Sequence, residues 1–265
     1  MKKFFTILLL FVALLGGAGY YAYKHFFPSV EKLEKEIIPE ELATPWLETL
    51  PNAPLNHLVL GDSVAYGTGS QQKGFVSMAT NTLNKEHQKQ FKLENLAMNG
   101  MTSNQLLKSV QKPKTRQKIQ KASLITISIG GNDILKLDRS LGIMEGMNVL
   151  KQTRENYVSN LEQILEIIRQ ENEDAVIVLS ELYNPIQLDN NLASIADSFI
   201  GDWNDELFNL SVKYGPATVM ETSKLLTADT RKSWAFDEVH PNDKGYKLLA
   251  DEMVSGLVAL QVEKK

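Results

Sequence analysis

The chain has 265 residues, 43% of them hydrophobic and 23% charged, with a formal net charge of -4. That make-up suits one globular domain plus an extra segment. So small a net charge supplies no basic field for nucleic acid and gives no support to an acidic partner. The absence of cysteine removes disulfides, thiol catalysis and thiolate metal sites together.

Met1, Lys2 and Lys3 precede residues 4–23, a run without a charged side chain that Lys24 ends. A helix of about 20 residues spans roughly 30 Å, the hydrocarbon thickness of a bilayer. Residues 1–27 are therefore expected to form a single-pass transmembrane helix. Lys2 and Lys3 favour an inside N-terminus and an extracytoplasmic remainder. The alternative is a signal segment cleaved near Gly17-Ala18-Gly19, leaving a secreted protein. The apolar run continues through Tyr20, Tyr21, Ala22 and Tyr23, which favours the anchor.

Residues 28–50 read as a linker, rich in charge and proline, with Glu31-Lys32-Leu33-Glu34-Lys35-Glu36 ahead of Pro39 and Pro45. Val30, Leu33 and Ile37 fall on one side of a possible short helix. Residues 51–265 then alternate short apolar runs with longer amphipathic ones, the pattern of parallel strands joined by covering helices. Strands are expected at residues 58–60, 93–97, 124–129, 175–179 and 217–220. Helices are expected at 156–169 and 242–260, each with apolar residues at helical spacing. Residues 135–153 and 183–202 carry no recognisable code and are left as substrate-facing loops. Leu141, Ile143, Met144 and Met147 in the first of them fit an acyl pocket and a packed lid equally well.

Ligands of an open parallel sheet bind beyond the carboxyl ends of its strands. Three such ends carry polar, glycine-rich sequence: Gly61-Asp62-Ser63, Ala97-Met98-Asn99-Gly100-Met101-Thr102, and Gly130-Gly131-Asn132-Asp133. A serine hydroxyl needs a base before it becomes a useful nucleophile, and histidine is the usual one. Of the four histidines, His25 follows the apolar run, His57 precedes the first expected strand and His87 lies in a polar run. His240 stands in Asp237-Glu238-Val239-His240-Pro241-Asn242, just ahead of the last helix. That loop can fold Asp237 onto His240, fixing the ring tautomer that accepts a serine proton. Each piece alone also reads as a turn or a helix cap, and Asn242 is the better cap.

Taken in order, these pieces resemble the SGNH hydrolases, the superfamily also called GDSL esterases and lipases. Gly61-Asp62-Ser63 is similar to its first block, Asn95 to Gly100 with Thr102 to the second, Gly130-Gly131-Asn132-Asp133 to the third, and Asp237-x-x-His240-Pro241 to the fifth. The resemblance implies a three-layer α/β/α, flavodoxin-like fold with a parallel sheet of about five strands. It implies Ser63 as nucleophile, His240 as base, Asp237 as its orienter, and Ser63, Gly100 and Asn132 as oxyanion donors. Val64 departs from the family's leucine and puts only local packing in doubt. The implied function is a serine esterase, lipase or acylhydrolase that needs no cofactor and no metal and acts on a small ester, a lipid or an acylated glycan. A glycan- or lipid-binding module without turnover is the alternative on the same fold. Gly-x-Ser-x-Gly, a P-loop and His-Glu-x-x-His are absent, and Gly67-Thr68-Gly69 reads as a turn beside the nucleophile.

Overall fold

The computed structural model describes residues 29–35, 37–137, 143–185 and 190–263. Five strands form the main sheet: β2 (Leu55–Gly61), β3 (Phe91–Asn95), β4 (Leu124–Ser128), β5 (Val176–Ser180) and β6 (Ala217–Met220), in the order β3-β2-β4-β5-β6. Every pair is parallel. The central strands β4, Leu-Ile-Thr-Ile-Ser, and β5, Val-Ile-Val-Leu-Ser, are buried at every residue. Strands covered by helices on both faces have this composition. A second sheet pairs β1 (Ala43–Pro45) antiparallel with β7 (Gln261–Glu263).

Successive side chains of a strand point to opposite faces, and β2 feeds two cores in this way. Leu58 and Leu60 join α4 (Ser103–Val110), α5 (Pro113–Ile119), α7 (Ile143–Glu171) and α8 (Asn190–Lys213) on one face. Val59 joins α1 (Trp46–Thr49), α3 (Gly74–Lys85) and α11 (Asp243–Ala259) on the other. The three-layer α/β/α expectation is met, with each expected strand found within a few residues of its place.

Several boundaries differ. α7 begins at Ile143, well before residue 156, because Met147, Leu150 and Tyr157 continue its buried stripe. Met147 is therefore core; Leu141 lies outside the described residues. α8 occupies most of the expected loop at 183–202, held by Phe199, Trp203, Leu207 and Leu210, all buried. Residues 29–35 form no helix. They run along α8, where Leu33 N–H donates to Asn209 Oδ1 at 2.8 Å, Asn209 Nδ2 donates to the Glu31 carbonyl at 2.9 Å, and Lys32 pairs with Asp205 at 2.7 Å. Among the described residues no helix is long and apolar enough to cross a membrane, and the expected anchor at 1–27 lies outside them.

Chain direction across the sheet reverses between β2 and β4. From β2 the chain moves outward to β3, and from β4 it moves the other way to β5. The crevice at the carboxyl ends of these two neighbours is where an open α/β sheet binds ligands. Gly61, the last residue of β2, has φ +139°, and a Cβ there would lie 2.0 Å from the Ser128 carbonyl oxygen. Only glycine permits this approach. It lets Asp62 N–H donate to the Ser128 carbonyl at 3.0 Å and starts the next helix against β4.

Candidate active site

Ser63 opens α2 (Ser63–Tyr66), a single turn whose N-cap is Asp62 and whose C-cap is Gly67 in the left-handed conformation. Asp62 Oδ1 accepts Val64 N–H at 3.0 Å, a capping bond typical of aspartate. As first residue of the helix, Ser63 has no intrahelical acceptor for its N–H, and none stands elsewhere among the described residues. Gly67 and Thr68 N–H both donate back to the Ser63 carbonyl, so the expected glycine turn closes behind the serine.

His240 arrives from a segment 177 positions further along the chain. α10 (Arg231–Trp234) buries Trp234, which meets the Tyr183 ring edge-on at 5.6 Å and donates Nε1–H to the Thr227 carbonyl at 2.9 Å. From that anchor a turn is closed by the Ala235–Pro241 bridge and by Phe236 N–H donating to the His240 carbonyl at 2.8 Å. Within it Asp237 Oδ1 accepts the N–H groups of Val239 and His240 at 2.9 and 2.8 Å, while Oδ2 lies 2.8 Å from His240 Nδ1. His240 Nε2 lies 2.8 Å from Ser63 Oγ. Partial burial pushes the Asp237 carboxyl up, but the bonds from His240 and Val239 outweigh it and hold it below the ordinary aspartate value. The aspartate is thus ionised at neutral pH and orients the ring with Nε2 toward the serine. Asn242 caps α11, accepting Lys244 and Gly245 N–H at 2.8 and 3.1 Å.

The third wall comes from the ends of β3 and β4. Asn95 donates Nδ2–H to the Ala65 carbonyl and accepts Ala97 N–H, both at 2.9 Å, tying the second block to the serine helix. Gly100 has φ +74° and faces open space, and its N–H meets no acceptor among the described residues. Thr102 then caps α4 with a reciprocal capping box to Gln105. Gly130, at φ +121°, brings the backbone against the Tyr157 ring, where a Cβ would come within 2.7 Å. It opens α6 (Gly131–Leu135), which carries Asn132. Asn132 Nδ2 donates to the Met101 carbonyl at 3.1 Å and lies 3.5 Å from Asp62 Oδ2. The N–H groups of Ser63 and Gly100 are thus unclaimed among the described residues, and the Asn132 amide reaches Asp62, the residue before the serine; donors of these kinds can receive charge on a carbonyl oxygen.

The sequence reading left a buried acid layer beneath these groups unassigned. Asp62 is 4% exposed, and burial lifts its carboxyl to about 7, opposed by the Val64 N–H and reinforced by Asp133. Burial also raises Asp133, against the pull of its bonds from Ser103 Oγ and N–H at 2.6 and 2.9 Å. Both acids lie inside motifs already read, so the signal existed. Tyr183 gave none: its hydroxyl donates to the Val239 carbonyl at 2.5 Å across 56 residues. Of the other histidines, His57 lies within β2, buried between the Thr80 and Thr126 hydroxyls at 2.7 and 2.8 Å, with burial lowering its pKa to about 3. It is a core residue. His25 is outside the described residues. Among those described, no group of three or more His, Asp or Glu side chains is placed to hold a metal ion.

Comparison with known proteins finds relatives in sequence and in fold. The spore germination lipase LipC of Bacillus licheniformis is 26% identical over 208 residues, covering 75% of this chain and 94% of LipC. Among solved structures, the lipase Lip_vut3 from a goat rumen metagenome superposes with a TM-score of 0.64 at 25% identity, covering 76% of this chain and 97% of that one. The acetylxylan esterase Axe2 from Geobacillus stearothermophilus shares the fold, with a TM-score of 0.57 at 17% identity over 77% of this chain and 94% of Axe2. The model of the GDSL-like lipase/acylhydrolase family matches residues 59–248, the whole stretch from the serine strand to the helix after the histidine. The chain therefore belongs to the GDSL-like lipase/acylhydrolase family and is a carboxylic ester hydrolase of the esterase and lipase type.

Proposed function

We propose that the protein hydrolyses esters through an acyl-enzyme on Ser63. The observation that carries this reading is the unbroken chain of 2.8 Å contacts from Ser63 Oγ through the His240 ring to Asp237. Ser63 Oγ attacks the ester carbonyl while its proton passes to His240 Nε2, and Asp237 stabilises the ring as it becomes charged. The carbonyl oxygen gains negative charge in this step. Ser63 N–H, Gly100 N–H and the Asn132 amide receive it. When the intermediate collapses, the carbonyl–oxygen bond to the alcohol breaks and His240 gives its proton to the departing oxygen. A water then attacks the acyl-enzyme, losing its proton to His240, and the acid leaves with the serine restored.

Ser63→Ala and His240→Ala are each expected to lower turnover of short p-nitrophenyl esters by at least about a thousandfold. Ser63→Ala should also abolish labelling by a fluorophosphonate probe. Undiminished turnover in either variant sinks the assignment, and a protein that resists the probe yet binds glycan or lipid is the non-catalytic module instead. Residues 4–23 act in this reading as an uncleaved anchor that leaves the catalytic domain on the outer side of the membrane, supported by their uncharged length and the preceding lysines. Recovery of the full-length chain in the soluble fraction, uncleaved, counts against it.

A further inference from the structure

The turn that carries Asp237 and His240 is closed almost wholly on itself. Phe236 N–H meets the His240 carbonyl, Asn242 N–H donates to the Trp234 carbonyl at 2.6 Å, Arg231 Nη2 donates to the Asp237 carbonyl at 2.5 Å, and Asp237 takes the N–H groups of Val239 and His240. Among the described residues, only two hydrogen bonds run from residues 236–241 to any residue outside 231–242. One is the contact of His240 Nε2 with Ser63 Oγ, and the other joins the Tyr183 hydroxyl to the Val239 carbonyl at 2.5 Å. The first must break in each turnover, when the serine proton moves to the ring. The second is the standing one.

Tyr183 has a firm mount from which to make it. The residue lies just past β5, and both of its neighbours in the chain are tied to α8. Leu182 N–H donates to Asn204 Oδ1 and Asn204 Nδ2 donates back to the Leu182 carbonyl, each at 2.9 Å, while Asn184 Nδ2 donates to Asp197 Oδ1 at 2.9 Å. The ring itself rests edge-on against Trp234, the anchor of the turn. Desolvation, and after it the nearby Tyr246, Asp62 and Asp237 groups, push the Tyr183 hydroxyl well above the ordinary tyrosine value. It therefore keeps its proton and serves as a donor at any pH near neutral.

The bond also lands on one particular peptide. The Val239 carbonyl and the His240 N–H belong to the same peptide unit, so Tyr183 grips its oxygen while its N–H donates to Asp237 Oδ1 at 2.8 Å. Hydrogen bonds linked in such a chain polarise one another. The other oxygen of that carboxylate lies 2.8 Å from His240 Nδ1. We propose that Tyr183 is a positioning residue for the reaction: its hydroxyl fixes the Val239–His240 peptide and, through it, the angle at which Asp237 presents the His240 ring to Ser63. The proposal rests on ester hydrolysis through Ser63 and His240 and adds the group that holds the base in place.

Tyr183→Phe keeps the ring against Trp234 and removes only the hydroxyl. With p-nitrophenyl butyrate, assayed well below the melting temperature, kcat should fall about tenfold while KM stays within about twofold of wild type, because the base is misplaced and the substrate's own contacts are untouched. A second background separates positioning from simple bracing. Residues that act through one another have non-additive effects, so in Asp237→Asn the further change Tyr183→Phe should lower kcat by less than about twofold. The proposal is overturned by a wild-type kcat in Tyr183→Phe, by a raised KM with kcat kept, or by an equal loss in both backgrounds. Failure of Tyr183→Phe to fold would overturn it too, since the hydroxyl would then brace the whole domain. If turnover depends on Ser63 yet is undiminished in Tyr183→Phe, only the role of Tyr183 falls. If Ser63→Ala and His240→Ala leave turnover intact, both readings fall.

Discussion

Asp62 sits next to Ser63 with one carboxyl oxygen on the Val64 N–H and the other facing the Asn132 amide. A single buried acid thus touches both the serine helix and Asn132, the proposed oxyanion donor. Its carboxyl is raised from 3.8 to about 7, chiefly by burial. Between those values the folded protein holds a proton that the unfolded chain has released, so the stability this group provides is full below about pH 4 and is lost as pH rises toward 7. Asp133, raised by the same cause, has the same sign. Asp62→Asn keeps the capping acceptor and removes the titration. Its melting temperature should fall less between about pH 4 and 7 than that of the wild type and should exceed it at about pH 8, as thermal unfolding across that range will show. Its kcat should drop by about 10- to 100-fold with KM little changed, because the Asn132 amide would then face another amide and lose its orientation. A kcat equal to wild type would remove Asp62 from any role in holding the crevice.

The elements that matter most are the shortest. β2 ends on Gly61, where the Ser128 carbonyl leaves no space for a Cβ. Gly61→Ala should therefore destabilise the domain by more than about 3 kcal/mol in chemical denaturation, through a forced φ and a direct clash together. A loss under 1 kcal/mol would mean that β2 and β4 separate easily at the crevice. The same short elements were the legible ones. Glycines, Asn132, Asp237 and His240 follow strands or precede a helix, and each residue type there has few physical uses, so chemistry narrowed the choice. Longer elements were harder. α8 carries Phe199, Trp203, Leu207 and Leu210 at helical spacing, but Asn, Asp and Gly residues around them read as a loop until the sheet supplied something for the stripe to cover. Residues 29–35 show the reverse. A helical spacing of Val30, Leu33 and Ile37 yields to bonds made with Asn209 and Asp205, partners that no local pattern reveals. Asp62 was visible as a letter of the motif, yet its burial and its contact with Asn132, 70 positions further along, depend on the folded chain.

At the scale of the molecule, the site is assembled where the sheet reverses its winding, from Ser63 near one end of the domain and His240 near the other, 177 residues apart. All the groups assigned to the reaction lie between Gly61 and His240, within the stretch that matches the family. Removing residues 1–27 should accordingly leave kcat/KM on a soluble ester unchanged within about twofold, while abolishing membrane recovery. A large kinetic loss on that deletion would show that the N-terminal segment does more than hold the domain in place. The small sheet gives the same arrangement a consequence in time. β1 pairs residue by residue with β7, Ala43 with Glu263 and Pro45 with Gln261, and Trp46 N–H donates to the Leu260 carbonyl at 2.8 Å. A ribosome delivers the first partner before the five-stranded sheet and the second only after it. Until then the emerging chain holds an open end, even after the serine, the aspartate and the histidine have all been made. A nascent chain that stops just past His240 would own Ser63, Asp237 and His240 and still lack the strand that pairs with β1.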